Sequence, residues 1–186
     1  MRAALVAVLA FVAAAGTASA QQQQKPAWYA GGTVGASWVN YELAKGSTPA
    51  AGGVFGFRTS PKFSVEAEIT QGARTLTRNI AGQFRYEYAP GTTVSVLGVW
   101  KSTVPGRVGL AGYSGLTVGS YRSGFVGSDE RGAAHKQSVG LTGGLMFPIA
   151  IAGSLSIAPD VRFSFESADS EPAFSARGGI RVLWGF

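Results

Sequence analysis

The chain contains no cysteine and a single histidine. Without cysteine there is no disulfide framework, no thiolate chemistry and no Cys-type zinc site. His135 stands in the polar stretch "RGAAHKQS", and one histidine makes neither a multi-His metal site nor a dependable catalytic triad. Charge is sparse at 14% of residues, and no run of Lys or Arg marks a nucleic-acid surface. The 186 residues hold no βαβ alternation, no amphipathic-helix period and no sign of a second domain. Glycine is abundant instead. It fills 27 of 186 positions, about twice the ordinary ~7% share, and with 11% aromatics it points to a β protein whose backbones pack closely.

Residues 1–20, "MRAALVAVLAFVAAAGTASA", have the build of a secretory signal peptide. Arg2 is the positive n-region, Ala3 to Ala15 the apolar run, and Ala18-Ser19-Ala20 the small-x-small cleavage site. The run is short for a bilayer span, which needs ~20 apolar residues. The mature chain is expected to start near Gln21, with 21–26 ("QQQQKP") a polar lead-in and 27–186 one β domain. It carries fifteen Lys/Arg (the sixteen less Arg2) and ten Asp/Glu, net +5.

Beyond Pro26 the apolar period is two, as in strands with one apolar face. Eight segments carry it: "AWYAGGTVGASWV", "GGVFGFR", "KFSVEAEIT", "QFRYEYAPGTTVSVLGVWK", "RVGLAGYSGLTVGSY", "QSVGLTGGLMF", "SLSIAPDVRFSFE" and "AFSARGGIRVLWGF". Pro90-Gly91 predicts a kink or bulge in the fourth. The connections "TSP", "STVPG" and the stretch around "PIAIAG" are short. "NYELAKGSTPAA", the segment around "GARTLTRNIAG", "RSGFVGSDERGAAHK" and "SADSEP" are mostly longer and polar, and are expected to be loops. Successive hairpins of this kind predict an all-β fold, an eight-stranded antiparallel up-and-down barrel.

Thirteen charged residues fall within these spans, all opposite the apolar face: Arg58, Lys62, Glu66, Glu68, Arg85, Glu87, Lys101, Arg107, Asp160, Arg162, Glu166, Arg177 and Arg181. A soluble barrel with its apolar face inward would alternate in the same way. Three features favour a membrane barrel with the charges in the lumen. Trp28 and Trp38 lie ten residues apart on one apolar face, which at ~3.3 Å per residue and a strand tilt near 40° is ~25 Å, the height of an outer-membrane apolar band. Trp100, Trp184 and Phe186 fall at strand ends on the short-turn side, joined by Phe57, Phe63 and Phe147, as interfacial aromatics do. The charged face mixes Gly and Ser with both signs of charge, which suits side chains interdigitating in a narrow lumen.

With these features the chain resembles the eight-stranded outer-membrane β-barrel proteins of Gram-negative bacteria, the membrane domain of OmpA and its opacity-protein-like or porin-family relatives. The ending carries the most specific part of the likeness: Ile180, Val182, Trp184 and Phe186 alternate up to a terminal Phe. The resemblance implies an outer-membrane location after export. It also implies that the barrel-assembly machinery reads this last strand, and that the outer face contacts outer-membrane lipid and lipopolysaccharide. The chain stops at Phe186, so no periplasmic peptidoglycan-binding domain is expected.

The search for chemistry is mostly negative, and no residue set calls for a cofactor or metal. "GGTVGAS" lacks a P-loop Lys and sits mid-strand. Glu66 and Glu68 read as members of a lumenal salt-bridge network rather than a catalytic pair, because buried charges must be paired. Ser138 lies three residues after His135, the wrong parity for one strand face, which argues against the lipid A-modifying enzymes of this architecture. A non-enzymatic envelope or surface-recognition role through the long loops, chiefly Arg122 to Lys136 with Phe125 as an anchor for an extracellular ligand, is the expectation. A small-solute or ion channel is the alternative. Poor conduction is expected, because charged side chains with Tyr113 and Tyr121 would fill the lumen, and Leu97, Val99 and Leu183 would narrow its short-turn end.

Overall fold

The computed structural model describes residues 27–41, 43–81, 84–102, 108–126, 134–152, 154–168 and 171–185. All its regular elements are strands: β1 (Ala27–Tyr41), β2 (Ala44–Arg58), β3 (Phe63–Gly72), β4 (Leu76–Ala81), β5 (Phe84–Lys101), β6 (Ala111–Val126), β7 (Ala134–Met146), β8 (Ile149–Ala152), β9 (Leu155–Ala168) and β10 (Glu171–Gly185). Eight of them, all but β4 and β8, form a ring of antiparallel neighbours. β10 pairs with β1 from Tyr29↔Gly185 to Asn40↔Phe174, so the ring of eight closes and its first and last strands are not left as edges. β4 prolongs β3 along β5, and β8 prolongs β7 along β9.

The barrel is inside out relative to a soluble globule. Val34, Phe55, Ile69, Val94, Leu116, Leu141, Phe163 and Ile180 are all exposed on its outer face, while Glu66, Glu68, Asp160, Arg162, Arg177 and Arg181 are buried within. Aromatic rings collect at both ends of the apolar belt. Trp28 stacks on Phe55 and Phe57, and Phe63 on Trp100, toward the short-turn end. Trp38, Phe163 and Phe165 gather around Phe174 toward the other.

Two expectations need correction. The first concerns the loops. Strand pairing continues through most of the polar connections: Tyr41 pairs with Ala44, Glu171 with Ala168, and β4 occupies the segment around "GARTLTRNIAG". Residues 127–133, between β6 and β7, lie outside the described set. With 15 residues in β1, at ~3.3 Å each and a tilt near 40°, the wall is roughly 38 Å tall, well over the ~25 Å of an apolar band. Above that band both faces of a strand can be wet. Polar residues then occupy both parities, and the period that reveals a strand disappears.

The second concerns parity along β5. The register with β6 slips between Pro90 and Thr93, where three steps on β5 face two on β6. One extra residue turns every following side chain to the opposite face. Tyr86 and Tyr88 therefore point inward, with Tyr86 buried. Arg85 and Glu87 lie on the outer face and pair with each other at 2.9 Å. The bulge is legible in Pro90-Gly91; the phase it gives Arg85 and Glu87 is set by the pairing with β6.

Candidate functional site

The lumen has two levels. The lower, toward the short turns and chain ends, is closed by an ion cluster. Glu66 and Glu68 project from β3, Asp160 and Arg162 from β9, Arg177 and Arg181 from β10. β3 and β9 are four steps apart around the ring in either direction, so the Arg162–Glu68 pair spans the barrel's diameter. It is bidentate: Nη1 donates to Oε1 at 2.9 Å and Nη2 to Oε2 at 2.6 Å. The same carboxylate accepts Arg177 Nη2 at 2.7 Å and Arg181 Nη2 at 2.8 Å. Arg181 Nη1 also reaches Glu66 Oε2 at 2.7 Å. Asp160 Oδ2 lies 3.7 Å from Arg177 Nη2 and 3.6 Å from Arg181 Nε. Three guanidinium groups thus face three carboxylates, and the cluster is neutral.

Two tyrosines complete it. Tyr29 donates to Glu66 Oε1 at 2.7 Å. Tyr113 donates to Asp160 Oδ2 at 2.9 Å, and its ring lies 5.1 Å from the Arg162 guanidinium and 5.0 Å from that of Arg181, within cation–π range. Glycine makes room for both rings. A Cβ at Gly56 would sit 2.2 Å from the Tyr29 ring, and one at Gly144 would sit 2.6 Å from the Tyr113 hydroxyl. Leu97 and Val99, both fully buried, pack with Ala111, Tyr113, Met146 and Ala158, and Leu183 packs with Tyr29 and Val54. Lys101 stands at the lower mouth with its ammonium 5.3 Å from the Tyr29 ring centroid.

The upper level is hollow. A cavity of ≈ 80 Å³ is lined by Ser37, Thr48, Thr70, Thr93, Ser138 and Ser175, by Tyr88 and Tyr121, and by one carboxylate, Glu166. Ser138 donates its hydroxyl to Glu166. Tyr41, Tyr88 and Tyr121 form a ring cluster at this level, with Tyr121 donating to the Tyr41 hydroxyl at 3.1 Å.

Of the charges expected in the lumen, six meet in the cluster and Glu166 stands apart above them. Arg58 and Lys62 are exposed at the short-turn end, and Arg85 and Glu87 are outside. Arg107 and Phe186 lie outside the described residues. Trp28, Trp38, Trp100 and Trp184 are exposed on the outer face, as are Ile180 and Val182 on the closing strand. Phe125 faces inward opposite Tyr86 rather than standing in a loop. His135 is exposed opposite Arg122, whereas Ser138 is buried against Glu166, so the two do not meet. Among the described residues no group of three His, Cys, Asp or Glu is placed to hold a metal ion. Sequence reasoning missed the role of Tyr29, and that of Tyr88 because of the bulge. The alternation already placed Tyr29 on the charged face, which was the available signal.

No protein-family model matches the chain, and no curated protein matches it significantly. Solved structures do. Neisserial surface protein A aligns with a TM-score of 0.58 at 11% identity, over 86% of this chain and 99% of that one. The N-terminal β-barrel domain of Pseudomonas aeruginosa OprF gives 0.55 at 11% identity, over 89% and 100%. Ail, the attachment invasion locus protein of Yersinia pestis, gives 0.50 at 13%, over 86% and 97%. At such identities the likeness is one of fold: the chain is an all-β, closed, eight-stranded barrel of the outer-membrane type.

Proposed function

We propose that the protein spans the bacterial outer membrane as a non-enzymatic, non-conducting barrel that supports the envelope or presents its outer rim for recognition. The observation that carries this reading is Glu68 held by three arginines across the full width of the lumen. A cluster so placed blocks a solute path and ties opposite walls together. Ser and His in contact, which an acyl-transfer site would need, are not found at His135 and Ser138. The belt would contact membrane lipid and lipopolysaccharide, and the closing strand with Ile180, Val182 and Trp184 would be the part that the assembly machinery engages. With an even number of strands, both ends lie on the periplasmic side. Exposed Lys45, Arg78, Arg85, Arg122 and His135 then belong to the outer end, where an extracellular ligand would meet them.

The hollow upper level favours a second reading, a narrow channel. Planar-bilayer recording of the refolded protein separates the two. The closed reading predicts no large, stable current steps. Routine open channels, unchanged by Arg162→Ala, would overturn it.

A further inference from the structure

The upper-lumen cavity contains a charge that the lower cluster does not balance. Glu166 is half-buried and makes no ion pair among the described residues; its partner is the Ser138 hydroxyl. Arg162, four residues before it on the same face of β9, is committed to Glu68. Lys136, on the same inward parity above Ser138, has interactions of its own. The hydroxyls of Ser37, Thr48, Thr93 and Ser175 and the rings of Tyr88 and Tyr121, with centroids 5.5 Å apart, share the rest of the lining with aliphatic groups such as Val39, Pro90 and Ala173.

Gly119 keeps this floor open. Its missing Cβ would lie 2.7 Å from Ser138 Oγ, 3.3 Å from Glu166 Oε2 and 3.5 Å from Thr93 Oγ1. The lower level fills such spaces with Tyr29 and Tyr113; here the space remains, and ≈ 80 Å³ admits more than a single water.

We propose that this cavity binds a small primary ammonium group, with Glu166 as its counter-ion. An ammonium offers three donors and needs acceptors around it. Glu166 supplies a charged acceptor, and the hydroxyls of Thr93, Ser37 and Ser175 supply neutral ones. The faces of Tyr88 and Tyr121 favour a cation by their ring quadrupoles. A bare divalent metal fits poorly, because calcium takes about six to eight oxygens, carboxylates prominent among them, and this wall has one carboxylate. The lower cluster forms the blind end.

The test is an NMR titration of the isotopically labelled, refolded full barrel in nanodiscs with methylammonium chloride at constant ionic strength. Saturable shifts are expected at Gly119, Ser138, Glu166 and Tyr88, with none at Glu66. E166Q keeps an acceptor for Ser138 and should weaken binding roughly tenfold or more, the scale of a lost charge-assisted hydrogen bond. G119A narrows the same floor, 3.3 Å from Glu166 Oε2, and leaves the carboxylate in place; it should also weaken binding, so the result does not hang on one variant. Tetramethylammonium has the same charge and no N–H, and should not saturate. Folding of each variant is checked by the change in gel mobility on heating. Shifts that grow linearly, equal saturation in E166Q and wild type, or equal effects from sodium chloride alone or tetramethylammonium would overturn the proposal.

Discussion

The two levels of the lumen are built on the same eight walls and differ in what a charge meets there. In the lower level Glu68 meets three guanidinium groups, and each of its neighbours meets another charge or a tyrosine. In the upper level Glu166 meets a serine hydroxyl and open space. The lower cluster sits behind the apolar belt, where an uncompensated charge costs several kcal/mol. The upper cavity lies toward the end where the walls outgrow that belt, and water can solvate what side chains do not. The difference teaches that lumen packing follows depth in the membrane as well as barrel size.

The largest expected effect tests the lower side of the comparison. Glu68→Ala would leave Arg162 without a carboxylate and set three guanidinium groups against Glu66 and Asp160 alone, and breaking a buried pair by removing one partner costs about 3–5 kcal/mol. Urea unfolding in liposomes should show a loss of that order or failure to fold. Glu166→Ala should cost far less, because it removes no ion pair seen among the described residues. Equal losses would erase the distinction between the levels.

The glycines give a smaller effect in the same direction. Gly56→Ala drives a Cβ into the Tyr29 ring, and overpacking of this kind costs about 1–3 kcal/mol. Gly119→Ala meets the Ser138 hydroxyl, which can rotate away, so its cost should fall below that range. If Gly119→Ala were the more damaging, the upper level would be packed rather than hollow.

The smallest effect is outside. Arg85 and Glu87 pair on the outer face with the arginine side chain half exposed. Glu87→Gln should change stability by about 0–1 kcal/mol, as surface pairs do. A loss on the scale of Glu68→Ala would return this pair to the lumen and contradict the parity change at the β5 bulge.

Much of this was legible in the sequence, for a physical reason. Within the apolar belt each strand has one lipid face and one lumen face, so Val34, Ile69, Leu141 and Ile180 fall on one parity and Glu66, Glu68, Arg162 and Arg181 on the other. That period gave the eight walls and the six members of the cluster. It failed where the outer face is no longer apolar. At Lys45 and Ser47 the outer face turns polar while Ala44 and Thr48 stay buried, so the apolar outer stripe ends and paired strand reads as loop. At Arg85 and Glu87 the period was present but its phase had changed at Pro90, and phase depends on pairing with β6, which composition does not carry. The partner choice within the cluster, such as Arg162 reaching across to Glu68, needed the ring to be closed before it could be seen.

The most direct measurement exploits the absence of cysteine. Single cysteines at Ser95, level with Glu68 in the β3–β5 register, and at Ser175, on the cavity wall, can be compared by their reaction with a small cationic thiol reagent on the refolded barrel. The account predicts ready labelling of Ser175→Cys and protection of Ser95→Cys, with rates more than an order of magnitude apart, and release of that protection in Glu68→Ala if the doubly substituted barrel still folds. Equal labelling of the two positions in an otherwise unaltered barrel would mean that the lower lumen is open, and would contradict the account.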